Sequence, residues 1–304
     1  MEGKVDFNDL KSGGFIKQKQ KDLFTVRLRC PGGRITTDKL VEISKIAKKY
    51  SKEGVIHLSY RQSLEILYVD YNDFSAIVAD LEAIGQKVAS CGPRVRVPTA
   101  CGGCEYNPNG LSDTQGLAKM VDDKFFGTPT PHKFKTCFSG CPIDCSRTKE
   151  MDLGFQGVVD PEWVEPACTG CTICEQACKE GAIVADPDTG KPIFDRDKCI
   201  FCGDCIRACP TEAWVPLRYG QTVRVGGKHG RHPMEALEVT TFLPEERIPD
   251  VIEKTIEWYN ANGKRHERIG TALERLGVKN YTDFMGDLLD DSLEAVRKAE
   301  TAAE

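Results

Sequence analysis

Apolar and polar residues alternate from Leu23 to Cys30, so Phe24, Val26, Leu28 and Cys30 share one face while Thr25, Arg27 and Arg29 share the other. Pro31-Gly32-Gly33 ends this predicted strand. The period then lengthens. Leu40, Ile43, Ala47 and Tyr50 make a helical stripe, with Thr37 and Asp38 at its start and Gly54 beyond its end. Alternation returns in Val55–Tyr60 and Leu64–Val69, two strands joined at Arg61-Gln62-Ser63. A second stripe, Phe74, Ile77, Val78 and Leu81, has Asn72 or Asp73 as its cap and Gly85 as its stop. A short strand near Lys87–Ser90 closes a β-α-β-β-α-β unit over residues 1–92, the ferredoxin-like split pattern.

The pattern of residues 93–162 and 215–304 describes a second, α/β unit. Arg94-Val95-Arg96-Val97 alternates and leads through Pro98 to Cys101. After a loop, Gly102–Gly110, Asp113-Thr114 can cap a helix with Leu117, Met120, Val121 and Phe125 on one side. Pro131 to Cys137 reads as a strand with Lys133, Lys135 and Cys137 on one face and Phe134, Thr136 and Phe138 on the other. Three helices are predicted near 245–262, 267–276 and 281–299, with Gly263 and Gly277 marking ends. The fold class is α+β.

Residues 163–214 interrupt the second unit. Cys168, Cys171, Cys174 and Cys178 follow the spacing C-x2-C-x2-C-x3-C, and Cys199, Cys202, Cys205 and Cys209 repeat it before Pro210. Soft thiolates on such short loops suit cubane iron–sulfur clusters, the fourth ligand of each coming from the other run. The spacing therefore assigns Cys168, Cys171, Cys174 and Cys209 to one 4Fe-4S cluster, and Cys199, Cys202, Cys205 and Cys178 to another. Two zinc sites would not interleave in this way. The segment is a bacterial-type 2(4Fe-4S) ferredoxin domain inserted into the chain. Lys179 stands where the first run would often carry proline, and Asp186–Gly190 predicts a hairpin turn between the runs.

Composition narrows the setting. The 304 residues carry 15 cysteines and a net charge of −5. No run approaches the ~20 apolar residues of a membrane span, and no charge excess points to nucleic acid. Without a signal peptide the cysteines argue for a reducing, cytoplasmic and anaerobic setting.

A further group reads Thr99-Ala100-Cys101 and Gly140-Cys141-Pro142-Ile143-Asp144-Cys145. Together with Arg29-Cys30-Pro31-Gly32-Gly33, Tyr60-Arg61-Gln62 and Lys133-Phe134-Lys135, it resembles the sirohaem-containing sulfite and nitrite reductases over nearly the whole chain. The ferredoxin insert after Gly157–Trp163 resembles their dissimilatory and anaerobic sulfite reductase type. The resemblance implies reduction of sulfite to sulfide with six electrons, on sirohaem coupled to a third 4Fe-4S cluster. It places Cys101, Cys141 and Cys145 as cluster ligands, with Cys145 bridging to the haem iron. Arg29, Arg61, Lys133 and Lys135 match the basic residues around the substrate anion. Arg27, Arg94, Arg96, Lys228 and Arg231 offer positive charge for the haem carboxylates, although Gly226–Arg231 reads equally as a flexible loop and alternating arginines equally as a solvated strand face. With one reductase repeat where related single-chain enzymes carry two, the chain is expected to pair with a second copy or a related subunit, and to take electrons from a donor protein.

One position departs from the family pattern. Where a second cysteine is expected after Cys101, this chain has Asn107. Cys104, in a C-x2-C loop with Cys101, is the preferred substitute, and Cys137 the other. Nitrite reduction is the close alternative activity. A subunit that only relays electrons is the alternative of a different class.

Overall fold

The computed structural model describes Leu10 and residues 13–290. Strands β1 (Phe15–Lys17), β2 (Leu23–Arg27), β3 (Ile56–Leu58) and β4 (Leu64–Asp70) form an antiparallel sheet in the order β1-β2-β4-β3. Helices α1 (Thr37–Tyr50) and α2 (Phe74–Ala83) bury Ile43, Ile46, Ala47, Ile77 and Leu81 against Val26, Ile66 and Val69. This is the expected ferredoxin-like unit, with an edge strand, β1, that its short sequence did not announce. Three details differ. Thr36 rather than Thr37 caps α1, its hydroxyl accepting from the Lys39 amide. Leu40 turns outward and Ile46 takes the buried position, because the apolar stripe of α1 admits either. The expected strand at Lys87–Ser90 is reduced to a single bridge between Leu28 and Val88.

The second unit is a five-stranded sheet whose strands lie, from one edge to the other, in the order Leu237–Leu243 (β11), Trp214–Val225 (β10), Leu153–Trp163 (β7), Thr136–Ser139 (β6) and Thr99–Ala100 (β5). Strands β5 (Thr99–Ala100), β6 (Thr136–Ser139) and β7 (Leu153–Trp163) are parallel neighbours. β10 (Trp214–Val225) runs antiparallel to β7, and β11 (Leu237–Leu243) antiparallel to β10. A short helix α3 (Gly103–Tyr106) precedes α4 (Thr114–Phe125), whose N-cap Asp113 accepts from the Gly116 amide as expected. The core joins Leu117, Val121 and Phe125 to Phe134, Phe138, Phe155 and Val223, and to the C-terminal helices through Ile252, Trp258 and Tyr281. The predicted strand from Pro131 is regular only at Thr136–Ser139, but Phe134 continues it by bonding to Arg94 and Arg96.

The segment expected to be an insert sits at the far end of the β7–β10 ribbon, whose last pair is Trp163 with Trp214. It contains α5 (Ile173–Ala177), a hairpin of β8 (Ile183–Ala185) and β9 (Pro192–Phe194), and α6 (Asp204–Ala208). Its own small core is Ile183, Cys205 and Trp214 with Phe194 packed against them. At the C-terminus, α7 (Ile248–Asn262), α8 (Ile269–Leu276) and α9 (Val278–Met285) replace the three predicted helices. The last is shorter than expected, and the part of that prediction beyond residue 290 lies outside the described residues.

Candidate functional site

The two cysteine runs fold as near repeats. Gly170 and Phe201, at matching positions, are left-handed (φ 70° and 58°), as are Thr172 and Gly203 (φ 61° and 73°). A single helical turn follows in each, α5 and α6. Cys168, Cys171, Cys174 and Cys209 line one narrow cleft. Cys178, Cys199, Cys202 and Cys205 line a cavity of about 310 Å³. Each set thus takes three thiols from one run and one from the other. Backbone amides already point at sulfur: Phe201 donates to Cys199 Sγ at 3.3 Å and Ala213 to Cys209 Sγ at 3.2 Å. Burial pushes the Cys202 thiol up to about 11 and Cys205 to about 12, so binding of a metal centre there must displace protons. At Cys209 burial acts in the same sense, but amide donors led by Thr211 outweigh it and hold the thiol below its ordinary value.

The same cavity is bounded on another side by Cys141, Pro142 and Ile143. These belong to the loop after β6, which is folded around Asp144. The Asp144 carboxylate accepts from Ser139 Oγ (2.7 Å), the Thr148 amide (2.9 Å) and Thr148 Oγ1 (3.0 Å). Opposite stands Cys101, just after β5, whose sulfur accepts from the amides of Gly140 (3.1 Å) and Gly103 (3.4 Å). The two loops touch through glycine. A Cβ on Gly140 would lie 2.8 Å from Gly103 Cα, so no side chain fits there. Burial raises the Cys141 thiol, with the neighbouring Cys101 and Cys145 adding to the shift.

The two candidates for the missing cysteine are placed differently. Cys137 is fully buried on β6. Burial holds its thiol well above the usual range, with Asp144 and Cys101 raising it further and Arg61 opposing them. Cys104 is exposed and opens onto a groove shared with Arg29, Arg34 and Asp122. Asn107 uses its side-chain oxygen in a turn, accepting from the Asn109 amide at 3.0 Å.

A basic cluster lies beside Cys137. Arg61 is half-buried and donates to Val97 O at 2.6 Å, and desolvation draws its guanidinium down to about 10. Its neighbour Gln62 docks the first unit on the second: Ala100 N donates to Gln62 Oε1 (2.9 Å), and Gln62 Nε2 donates to Ala100 O (2.7 Å). Lys133 and Lys135 are half-buried. Burial, then the field of Arg61, brings Lys135 down to about 8, while Asp152 opposes the shift. Burial and the fields of Arg268 and Arg96 lower Lys133. Arg96 is held by the carbonyls of Ser90 and Gly92.

The other expected basic residues are dispersed. Arg29 pairs with Asp122 at 2.6 Å and lies 4.0 Å over the Phe126 ring. That pair makes it a strut between the chain just after β2 and α4. Arg27 pairs with Glu65 at 2.7 Å and donates to Cys91 Sγ at 3.2 Å, and its field reaches Arg61 and Arg96. Arg94 lies on the extended stretch beside Pro129. Lys228 Nζ donates to Thr271 Oγ1 at 2.9 Å, and Arg231 is exposed. Gly226 and Gly227 are not a loose loop: a Cβ on Gly227 would meet Lys149 O at 2.4 Å.

Two residues outside the expected set belong to the cluster. Asp152 is fully buried; it accepts from the Lys135 amide (3.0 Å) and from Arg268 Nε (2.8 Å), and Arg268 also reaches Gly227 O. A charged residue inside the apolar run Met151–Val159 was a signal for a buried partner. His132 is held neutral, down to about 4, by burial and the field of Lys133.

The chain resembles known proteins along most of its length. Residues 91–289 match the nitrite and sulphite reductase 4Fe-4S domain, and residues 16–84 match the nitrite/sulfite reductase ferredoxin-like half domain. The chain is 33% identical over 279 residues to the coenzyme F420-dependent sulfite reductase of Methanocaldococcus jannaschii, covering 91% of this chain and 44% of that protein. It is 29% identical over 283 residues to a subunit of the anaerobic sulfite reductase of Salmonella typhimurium, covering 87% and 79%. The chain thus spans less than half of the first of these relatives. In fold it is similar to the crystal structure of dissimilatory sulfite reductase I, with a TM-score of 0.73 at 20% identity over 87% of this chain and 69% of that one. Among the described residues no helix is long and apolar enough to cross a membrane.

Proposed function

This chain belongs to the nitrite and sulphite reductase family, and we propose that it reduces sulfite to sulfide, drawing electrons through its own inserted ferredoxin domain. The observation that carries this reading is the shared cavity. Cys178, Cys199, Cys202 and Cys205 line it, and the Cys141 loop forms another of its walls. The three-plus-one composition of both thiol sets suits two 4Fe-4S clusters. Cys101, Cys141 and Cys145 suit a third, with Cys145, exposed at the loop end, left to face sirohaem. Clusters held by these sets would offer electrons a path from the Cys168 set, past the set beside Cys141, toward Cys145.

Sirohaem, when bound, supplies the iron on which the sulfur oxyanion is reduced. The chain supplies charge and protons. Arg61, Lys133 and Lys135 make a pocket whose positive charge Asp152 offsets only in part. Such a pocket attracts a small oxyanion and stabilises the negative charge that builds as its oxygens leave. The lysines can pass protons to those oxygens, while Arg61, anchored on Val97 O, holds the anion in place. A second copy or a related subunit, as in the multi-subunit relatives, would complete the assembly.

The test is turnover. The anaerobically loaded protein, fed by reduced methyl viologen, is expected to form sulfide from sulfite with a kcat/KM above that for nitrite. Preference for nitrite would reassign the substrate. Reduction of neither, with iron–sulfur absorption but no haem band, would make the chain a relay subunit.

A further inference from the structure

We propose that Asp160 and Arg196 form a clamp that fixes the second cysteine run on the reductase sheet and so sets its distance from the Cys141 loop. The proposal rests on the relay reading above and names positioning residues for it.

Asp160 lies near the end of β7 and is 1% exposed. A carboxylate so buried requires a charged partner. Arg196 stands against both of its oxygens, with Nη2 donating to Oδ2 at 2.8 Å and Nη1 in ion-pair contact 2.7 Å from Oδ1, a two-pronged fork that fixes orientation as well as distance. Arg218, on β10, approaches Oδ2 at 3.2 Å and lies 4.3 Å over Phe242. Asp160 thereby joins both strands of the ribbon to one side chain of the insert.

Arg196 begins the turn that delivers Cys199, whose amide donates to the Arg196 carbonyl at 3.1 Å. Three more contacts tie the loop down. The Val159 amide donates to Phe201 O at 3.0 Å. Phe201 meets Phe242 edge-on, with centroids 4.8 Å apart. A Cβ on Gly203 would lie 2.7 Å from Val159 Cγ1, so the loop rests directly on β7. The fastened loop carries three thiols of the cavity, and Cys141 to Ile143 form its other wall. The clamp therefore fixes the wall that the second run carries, relative to the sheet from which the Cys141 loop emerges. One electron leaves the reduced centre at Cys178, Cys199, Cys202 and Cys205 and is taken up at the Cys141 centre. No bond or proton moves in that step, and dithionite is the reductant.

Arg196 is 49% exposed, so Arg196→Gln removes the fork without opening a cavity. The full chain, loaded anaerobically, is mixed with dithionite, and arrival of electrons at the sirohaem is followed by absorption. Magnetic interaction between the reduced centres is read by EPR. Arg196→Gln is expected to keep its iron and its cluster potentials but to slow arrival on the order of tenfold to 100-fold, with weaker interaction. Arg196→Lys should recover part of the rate, and Asp160→Asn should match Arg196→Gln. Wild-type rate and interaction in both Arg196→Gln and Asp160→Asn would overturn the clamp alone. So would iron loss in Asp160→Asn with a normal rate in Arg196→Gln, which would reduce the pair to a folding role. A wild-type protein that passes no electron between the two sets would overturn the relay and the clamp together.

Discussion

At the scale of single residues, the lysine pocket separates catalysis from folding. Lys133 and Lys135 flank Phe134, which is fully buried and carries the core contact. Replacing either lysine by alanine removes a cation and leaves that contact intact. Loss of such electrostatic stabilisation costs on the order of 100-fold in turnover, so each variant should keep its haem and cluster spectra and lose most of its sulfite reduction. Wild-type turnover in the double variant would return both to ordinary strand lysines. The open ligand position is decided in the same way. Cys137 is buried within the field of Cys101, whereas Cys104 faces another groove. Cys137→Ser should therefore disturb the haem-coupled cluster, and Cys104→Ser should not; EPR of both variants settles which sulfur belongs to it. Sequence spacing favoured Cys104, because C-x2-C is a local signal and the approach of Cys137 to Cys101 is made by neighbouring strands. Arg29 failed to declare its partner for a related reason. Asp122 lies 93 residues away, and alternation gives a face without saying what covers it.

At the scale of elements, the cysteine loops were legible because their spacing is their structure. Their conformational strain was not. Thr172 is left-handed where the equivalent position in the second run is Gly203. A β-branched residue there costs about 1–2 kcal/mol. Thr172→Gly should raise the stability of the loaded protein by about 0.5–1 kcal/mol, after the added chain entropy of glycine is set against it, and leave iron content unchanged. Gly203→Ala should act oppositely, since its new methyl meets Val159, with a loss of at least about 1 kcal/mol and weaker retention of the second cluster. Anaerobic denaturant titrations read both. In the C-terminal helices the apolar period placed α7 well, and Trp258 anchors it, fully buried and donating to Asn280 Oδ1 at 2.9 Å. The exposure of Leu40 and the loss of the strand at Lys87–Ser90 were not legible. Each turns on which of two near-equivalent packings the tertiary contacts select.

At the scale of the whole molecule, three cores stand in series: the ferredoxin-like unit, the five-stranded sheet and the small insert. Gln62 fastens the first to the second beside Cys101, and Asp160 fastens the third to the second near the Cys141 loop. Both joints lie by the loops that carry Cys101 and Cys141, the thiols proposed for the haem-coupled cluster. The central claim is that this convergence builds one redox line ending at sirohaem. Its most direct test is composition. Iron, acid-labile sulfide and extracted tetrapyrrole are measured on the anaerobically purified protein. Three cubanes and one haem iron give about 13 iron atoms per chain together with one tetrapyrrole; about eight iron atoms and no tetrapyrrole would contradict the account.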